Sequence, residues 1–510
     1  MSKYRGIVLQ SVLPIRLRAS AVKITLAGCL LALAGCTLMP TYHRPTAVIS
    51  TNWPAASQAP GVSSNALPAA DIGWHDFFRD PRLQTLVELA LTNNPDLRVA
   101  VLNVEQTRAL YKVQRNALIP TVDINASGSR QRVLNVYTGG GSNNAPSTMP
   151  SALTYDEYSV GLGVASYELD LFGQVRSLKK QALETYFANM EARKSAQIAL
   201  VAQVGTAYLT EREAAEQLAV AEDSLKAAQQ AYDLTKRSYE GRVLSELDLD
   251  NANVQLQTAR AAVAGYEQQL ALAQDNLVLL VGRPLPNDLP PPQPMDPQVC
   301  LSDLPAGLPS DLLERRPDIL AAEHQLKAAN ANIGAARAAF FPTVTLTGSG
   351  GTASTTLESL FAPGSQTWAF SPQLVWPIFA AGTAWNQLKA VKAAERIQAA
   401  DYQSAIQTAF REVADALATR AAVETQLAAN QTLVQADQRS YDLTQARFQH
   451  GVASMLTVLA AEQTVDGARQ NLIQLRYSRL FNLINIYQDL GGGWREDSLP
   501  LPENGPSNGD

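Results

Sequence analysis

Pro317-Asp318-Ile319, followed 25 positions later by Pro342-Thr343-Val344, repeats an earlier stretch of the same chain: Pro95-Asp96-Leu97, followed 25 positions later by Pro120-Thr121-Val122. Working outward, Tyr232-Asp233-Leu234-Thr235 returns as Tyr441-Asp442-Leu443-Thr444 at an offset of 209. In that register Val243, Ser245, Leu247, Arg260, Asn276 and Gly282 meet Val452, Ser454, Leu456, Arg469, Asn485 and Gly491. A period of about 200 is far too long for a solenoid. Residues 95–282 and 317–491 are one half-domain written twice.

Within each copy the period changes at the second proline. Asn94 fits an N-cap and Pro95 the first helical position, and helical spacing runs until Pro120 stops it. Val122, Ile124 and Ala126 then alternate with Thr121, Asp123, Asn125 and Ser127, the two-residue period of a strand. Tyr158, Val160, Leu162 and Val164 do the same. In the second copy Val344 and Leu346 alternate with threonines, and Trp368, Phe370, Leu374 and Trp376 share one face of a strand containing Pro372. Strands are expected at about 121–132, 157–167, 343–350 and 367–376. A long helical hairpin follows each pair, 173–282 and 380–490, turning at Gly241 and Gly451. A helix of roughly 68 residues spans about 100 Å, which the returning helix and the helix before the strands nearly match when stacked end to end.

Four amphipathic strands cannot close a transmembrane barrel, since single-chain barrels start at about eight. Open edges in lipid leave backbone groups unpaired at several kcal/mol each, so the chain must oligomerise. Two copies would supply eight strands and three would supply twelve. A barrel of about eight is filled by its own side chains, so a conducting pore favours three or more.

The N-terminus gives an address. Lys3, Arg5, Arg16, Arg18 and Lys23 lead into the apolar run Ile24–Ala34, too short to span a bilayer but suited to a signal peptide. Leu33-Ala34-Gly35-Cys36 resembles a bacterial lipobox, with lipid on Cys36 and cleavage before it. Leu26-Ala27-Gly28-Cys29 has the same form but leaves a much shorter apolar run after Lys23. Thr37 rather than Asp follows Cys36, which points to the outer membrane. Without residues 1–35 the net charge falls from −6 to −11, so nucleic acid is a poor partner. With Cys36 acylated, lone Cys300 has no internal disulfide partner. The expected organisation is signal peptide 1–35, acylated extended segment 36–80, first repeat 81–282, connector 283–306, second repeat 307–494 and flexible tail 495–510.

Nearly the whole mature chain resembles the TolC-like outer-membrane efflux proteins, in their lipoprotein (NodT-type) branch. The resemblance rests on Cys36 with Pro40-Thr41-Tyr42-His43-Arg44-Pro45, on the block Gly307–Ile319 with its Arg315-Arg316-Pro317-Asp318, on Leu169-Asp170-Leu171-Phe172-Gly173 and on Gly491-Gly492-Gly493-Trp494. It implies an α+β membrane protein. Three chains would form a twelve-stranded outer-membrane β-barrel continued by a twelve-helix periplasmic α-barrel. It also implies passive conduction, gated at the periplasmic helix tips, with a periplasmic adaptor and an RND-type inner-membrane pump as partners. The lipid on Cys36 is the sole attached group expected, and no cofactor is.

On the same resemblance, Val452 and Leu456 after Gly451 match the residues that narrow the aperture, against ordinary hairpin packing as the plain alternative. Asp248 and Arg447 match polar locks between hairpins, with solvated surface charge as the rival. Thr457 and Ala460 stand where many relatives carry carboxylates, leaving Glu462 as a substitute. Tyr158, Trp368 and Trp376 read as a membrane-interface girdle in contact with lipid.

Signals for other chemistry are weak. Ser177-Leu178-Lys179-Lys180 has acylase spacing without companion motifs. Gly161-Leu162-Gly163 lies in a strand rather than a phosphate loop, and His43, His75, His324 and His450 have no metal-ligand spacing. An enzyme is not expected. A duct for secreted polypeptide, and a periplasmic adaptor or structural helical-hairpin lipoprotein with no pore, stay open as alternatives to a solute efflux duct; the lipid-facing Trp368, Phe370 and Trp376 oppose the second.

Overall fold

A computed structural model describes residues 37–46, 67–134, 152–295, 299–301, 304, 312–379 and 381–497. Cys29 and Cys36 lie outside them, as do residues 498–510.

The first copy comprises helices α1 (Trp74–Phe77), α2 (Pro81–Asn93) and α3 (Pro95–Asn116), strands β1 (Asp123–Leu134) and β2 (Ala152–Leu169), and helices α4 (Gln174–Glu240) and α5 (Glu246–Val281). The second comprises α6 (Leu312–Arg315), α7 (Pro317–Ala338), β3 (Thr343–Ser354), β4 (Gln366–Val375), α8 (Thr383–Gln449) and α9 (Met455–Asp489). β2 starts five residues earlier than its alternation suggested, and β3 runs four residues further. Trp376 falls just past β4. No helix among the described residues is long and apolar enough to cross a membrane.

The four strands form one antiparallel sheet in the order β1-β2-β3-β4. Ile124 stands opposite Leu162, Leu162 opposite Gly350, and Gly350 opposite Trp368, so these share a face. That face is largely apolar from Leu169 and Leu374 to Tyr158, beyond which Arg130 pairs with Asp156 at 3.4 Å, and the other carries Asn125, Ser127, Thr345, Thr347 and Gln373. A bulge between Val164 and Tyr167 inserts one residue into β2. The apolar positions of β2 therefore switch from Val160, Leu162 and Val164 to Tyr167 and Leu169.

The chain divides into two compact units that cut across the repeats. One holds residues 1–43, 108–185 and 326–397, the other 44–107, 186–325 and 398–510. The physical reason is strand pairing: β2 of the first copy bonds to β3 of the second, so both copies share one sheet.

Repeat symmetry governs the helix junctions of the larger unit. Gly282, left-handed at φ 76°, ends α5 where a Cβ would come within 2.7 Å of Asn93 O. Gly491, at φ 85°, follows α9, and its Cβ would come within 2.9 Å of Arg315 O. Asn94 donates to Leu280 O at 2.9 Å, and Arg316 to Asp489 O at 3.1 Å. Each returning helix thus abuts the start of a short helix, and Asn94 also caps α3 through Leu97 N at 3.0 Å. Arg316 adds ion pairs to Asp318 (2.7 Å) and Glu412 (2.9 Å), which gives the Arg315-Arg316-Pro317-Asp318 block a structural task.

The N-terminal segment runs along α7 in the opposite direction. Leu38 O accepts from Arg337 at 3.1 Å, Pro40 O from Asn330 at 2.9 Å, Lys327 lies over the Tyr42 ring, and Arg44 pairs with Glu323 at 2.5 Å. The connector is docked too: Arg79 N donates to Val299 O and Leu301 N to Phe77 O, each at 2.9 Å, with Cys300 buried between. The tail expected to be flexible from residue 495 begins ordered, because Arg495 O and Glu496 O accept from Trp74 N and His75 N at the start of α1. These carbonyls satisfy donors that a helix N-terminus leaves open.

Candidate functional site: the hairpin tips

The two hairpin turns are the same turn. Gly241 N, Arg242 N and Val243 N donate to the carbonyls of Arg237, Tyr239 and Ser238. At an offset of 209, His450 N, Gly451 N and Val452 N donate to those of Ala446, Phe448 and Arg447. Gly241 was expected to pair with Gly451 as the turn residue, but the left-handed position in the first tip belongs to Arg242, at φ 64°. Gly451 holds it in the second tip at φ 73°. Gly241 sits one residue earlier with ordinary angles, so its lack of a side chain is not what the turn needs. The 209 register itself aligns Arg242 with Gly451.

Each returning helix is capped by a serine. Ser245 and Asp248 form a capping box: Asp248 N donates to Ser245 Oγ at 3.3 Å, and Ser245 N to Asp248 Oδ2 at 3.0 Å. These bonds hold the Asp248 carboxyl below its ordinary range. In the second tip Ser454 accepts from Thr457 N at 3.3 Å. Asp248 therefore serves its own helix start, while Arg447 is exposed and makes no ion pair with another described residue. One chain does not bring the two together.

Val452 and Leu456 are both exposed, at 65% and 54%. Their counterparts Val243 and Leu247 are exposed as well, at 78% and 68%. Solvent-facing apolar side chains on every tip argue against simple hairpin packing. Between the tips lies a hollow of about 580 Å³ lined by Leu234, Val243, Leu244, Phe448, Met455 and Leu456.

Further from the turns, Glu462 and Asp466 on α9 face α4 and α5 across a hollow of about 250 Å³. Ser224 donates to Asp466, and Gln463 to Gln255, tying the hairpins together. Burial first, and the Asp466 charge second, push Glu462 up to about 7 against the pull of Arg469. The matching positions in the first copy are neutral: Gln257 donates to Asn253 at 3.1 Å. Within each hairpin one bond repeats, from Arg260 to Gln229 at 3.1 Å and from Arg469 to Gln438 at 2.8 Å.

At the sheet, Tyr158 and Trp376 stand toward opposite ends of the apolar face. Trp368 lies between them, level with Leu162. At about 3.3 Å per residue, Tyr158 is roughly 13 Å beyond that level. The three rings therefore stand at three different levels along the sheet. Trp376 donates to Phe340 O at 3.3 Å, which fixes it beside the end of α7.

A family model described as outer membrane efflux protein matches residues 86–283 and 308–492. The chain is 45% identical over 475 residues to the toluene efflux pump outer membrane protein TtgC of Pseudomonas putida, covering 93% of this chain and 96% of that one. It is likewise 45% identical, over the same shares, to the antibiotic efflux pump outer membrane protein ArpC of Pseudomonas putida. The solved open state of the MtrE outer membrane channel of Neisseria gonorrhoeae matches with a TM-score of 0.81 and 39% identity, covering 91% of this chain and all of that one.

Proposed function

We infer the finer role of this chain from one premise: it belongs to the outer membrane efflux protein family. It is a TolC-like outer-membrane channel protein of an efflux pump, with a periplasmic helical portion, and not an enzyme. Our reading is that three copies close a twelve-stranded barrel and a twelve-helix tunnel. This duct passively conducts drugs or other small toxic solutes handed over by an inner-membrane pump through a periplasmic adaptor.

 The pump is read as RND-type, and Cys36 as carrying the lipid anchor. Val452 and Leu456 narrow the aperture, while Asp248 and Arg447 are the polar groups available to hold neighbouring hairpins together.

The observation that carries the trimer is a helix face with no partner. α3 has no buried residue, and Val99, Leu102, Leu110 and Val113 are 51–63% exposed. Its repeat counterpart α7 is covered within the chain by α4, where Gly334 meets Ser177 and His324 meets the Phe187 ring at 5.4 Å. By repeat symmetry the cover for α3 is α8 of a second copy. The outer edges of β1 and β4 have no partner strand among the described residues and join in the same step. Three copies rather than two leave a barrel wide enough to conduct.

Cargo class follows from the relatives named for toluene and antibiotic pumps. Deleting the gene should sensitise the host to aromatic solvents and amphiphilic antibiotics, and the intact gene should restore resistance. Unchanged susceptibility to both, in a host with no second channel of this kind, would refute the assignment.

A further inference from the structure

The apolar face of the sheet carries a hollow that packing does not require. It follows the seam between β2 and β3, has a volume of about 430 Å³, and is walled by Leu162, Val164, Tyr167, Leu346 and Phe370. That size falls within the roughly 300–1,000 Å³ of sites that hold small ligands. Gly348 and Gly350 form its floor, on the face shared by Leu162 and Trp368. Neither glycine is forced. A Cβ at Gly350 would meet nothing within 4 Å, and one at Gly348 would meet only Ala369 and Phe370, at 3.9 Å. On the opposite face the reverse holds, since a Cβ at Gly161 would come within 3.0 Å of Gly350 O. The side chains missing from the apolar face leave room instead of avoiding a clash.

A second observation says what reaches that room. The N-terminal segment is held to the last turns of α7 by the bond from Arg337 to Leu38 O, at 3.1 Å. Met39 and Ser177 both crowd the Cβ position of Gly334. α7 leads into β3, and Ser177 stands in the first turn of the helix that leaves β2. The segment is therefore delivered to the foot of the same β2–β3 seam. Cys36 is two residues upstream of Leu38, a reach of at most about 7 Å.

We propose that the groove seats an acyl chain of the lipid borne by Cys36, an inference that rests on the lipid-anchor reading. The tether fixes one end of that chain near the mouth of the groove, so less freedom is lost on docking than for a free lipid. The walls supply mainly apolar contacts along the recess, with Thr347 and Ser349 as the hydroxyl-bearing exceptions beside Tyr167, which suits a saturated chain.

The test uses the full-length chain in outer-membrane vesicles, labelled in growth with an alkyne-bearing fatty acid. Photoreactive benzoylphenylalanine replaces Phe370 in the groove wall or Ala126 elsewhere on the same face. Mass spectrometry should find the labelled lipid on the peptide that begins at Cys36. Irradiation should join that peptide to position 370 several-fold more than to position 126, and Gly350→Leu should abolish the preference with the lipid still attached. Equal yields on a lipidated chain would overturn the groove alone, with bulk lipid as its occupant. A Cys36 without lipid would overturn the groove and the anchor reading together.

Discussion

α3 and α7 are the same helix in the two copies, yet their surroundings are opposite. α7 buries Ile319, Leu326, Ala331, Ile333 and Ala338, while α3 buries nothing. Within the chain α7 has α4 and the N-terminal segment beside it, and on our reading α3 is covered by another copy. Of these two repeat-related faces the chain covers one.

The largest effect should come from breaking that second face. Leu102→Glu with Val113→Glu puts two charges where a neighbour would bury them, at a cost of several kcal/mol. The trimer band on an unheated gel should vanish, while circular dichroism still reports a helical monomer. Trimers at normal yield would rule out α3 as the joint.

The tips offer the next contrast, between Leu456 and its counterpart Leu247. Leu456→Ser should raise single-channel conductance in a planar bilayer several-fold, and Leu247→Ser should change it little. No change for Leu456→Ser would remove that residue from the constriction.

Acid–base behaviour should differ between the copies as well. Glu462 stands where the first copy has Asn253, and its protonation is favoured in the packed hairpins, up to about 7. A raised carboxyl binds more protons folded than unfolded, so packing weakens as pH rises from about 4.5 through 7. Melting of the detergent-solubilised protein should show this slope, reduced in Glu462→Gln, and that variant should melt higher than the parent at pH 8. Identical slopes would mean that Glu462 is not linked to hairpin packing.

The smallest effect concerns the turns. Gly451→Arg asks a side chain to adopt the left-handed angles that Arg242 already tolerates, and should cost about 1–2 kcal/mol. Arg242→Gly should gain less than about 1 kcal/mol, because glycine's freedom in the unfolded chain offsets the relief. Denaturant titrations of both variants would check the pair.

Much of this asymmetry was readable only where it had a local sequence cause. The repeat, the switch from helical to strand period at Pro120 and Pro342, and both hairpins follow from spacing, because burial on one face imposes a period. The bulge at Val164 and Tyr167 was legible in principle, since the apolar positions change parity there. It was hidden by small residues that suit either face. The register alone could have exposed Arg242, which reads as an ordinary surface charge until set against Gly451. The cradle around the N-terminal segment could not be seen, because Asn330 and Arg337 bind backbone carbonyls, which carry no signature of their own. The glycines at 348 and 350 were visible as letters, but the space above them depends on which strands stand beside them.

The joints at Gly282 and Gly491 are alike in backbone but not in what holds them. α4 and α8 each run 67 residues without a break. Their return paths are interrupted, and what holds each interruption differs. Asn94 grips the first with a neutral amide, whereas Arg316 grips the second and reaches two carboxylates besides. Charge-assisted bonds are roughly twice as strong as neutral ones. The second junction is therefore held by more bonds, and by stronger ones, than the first.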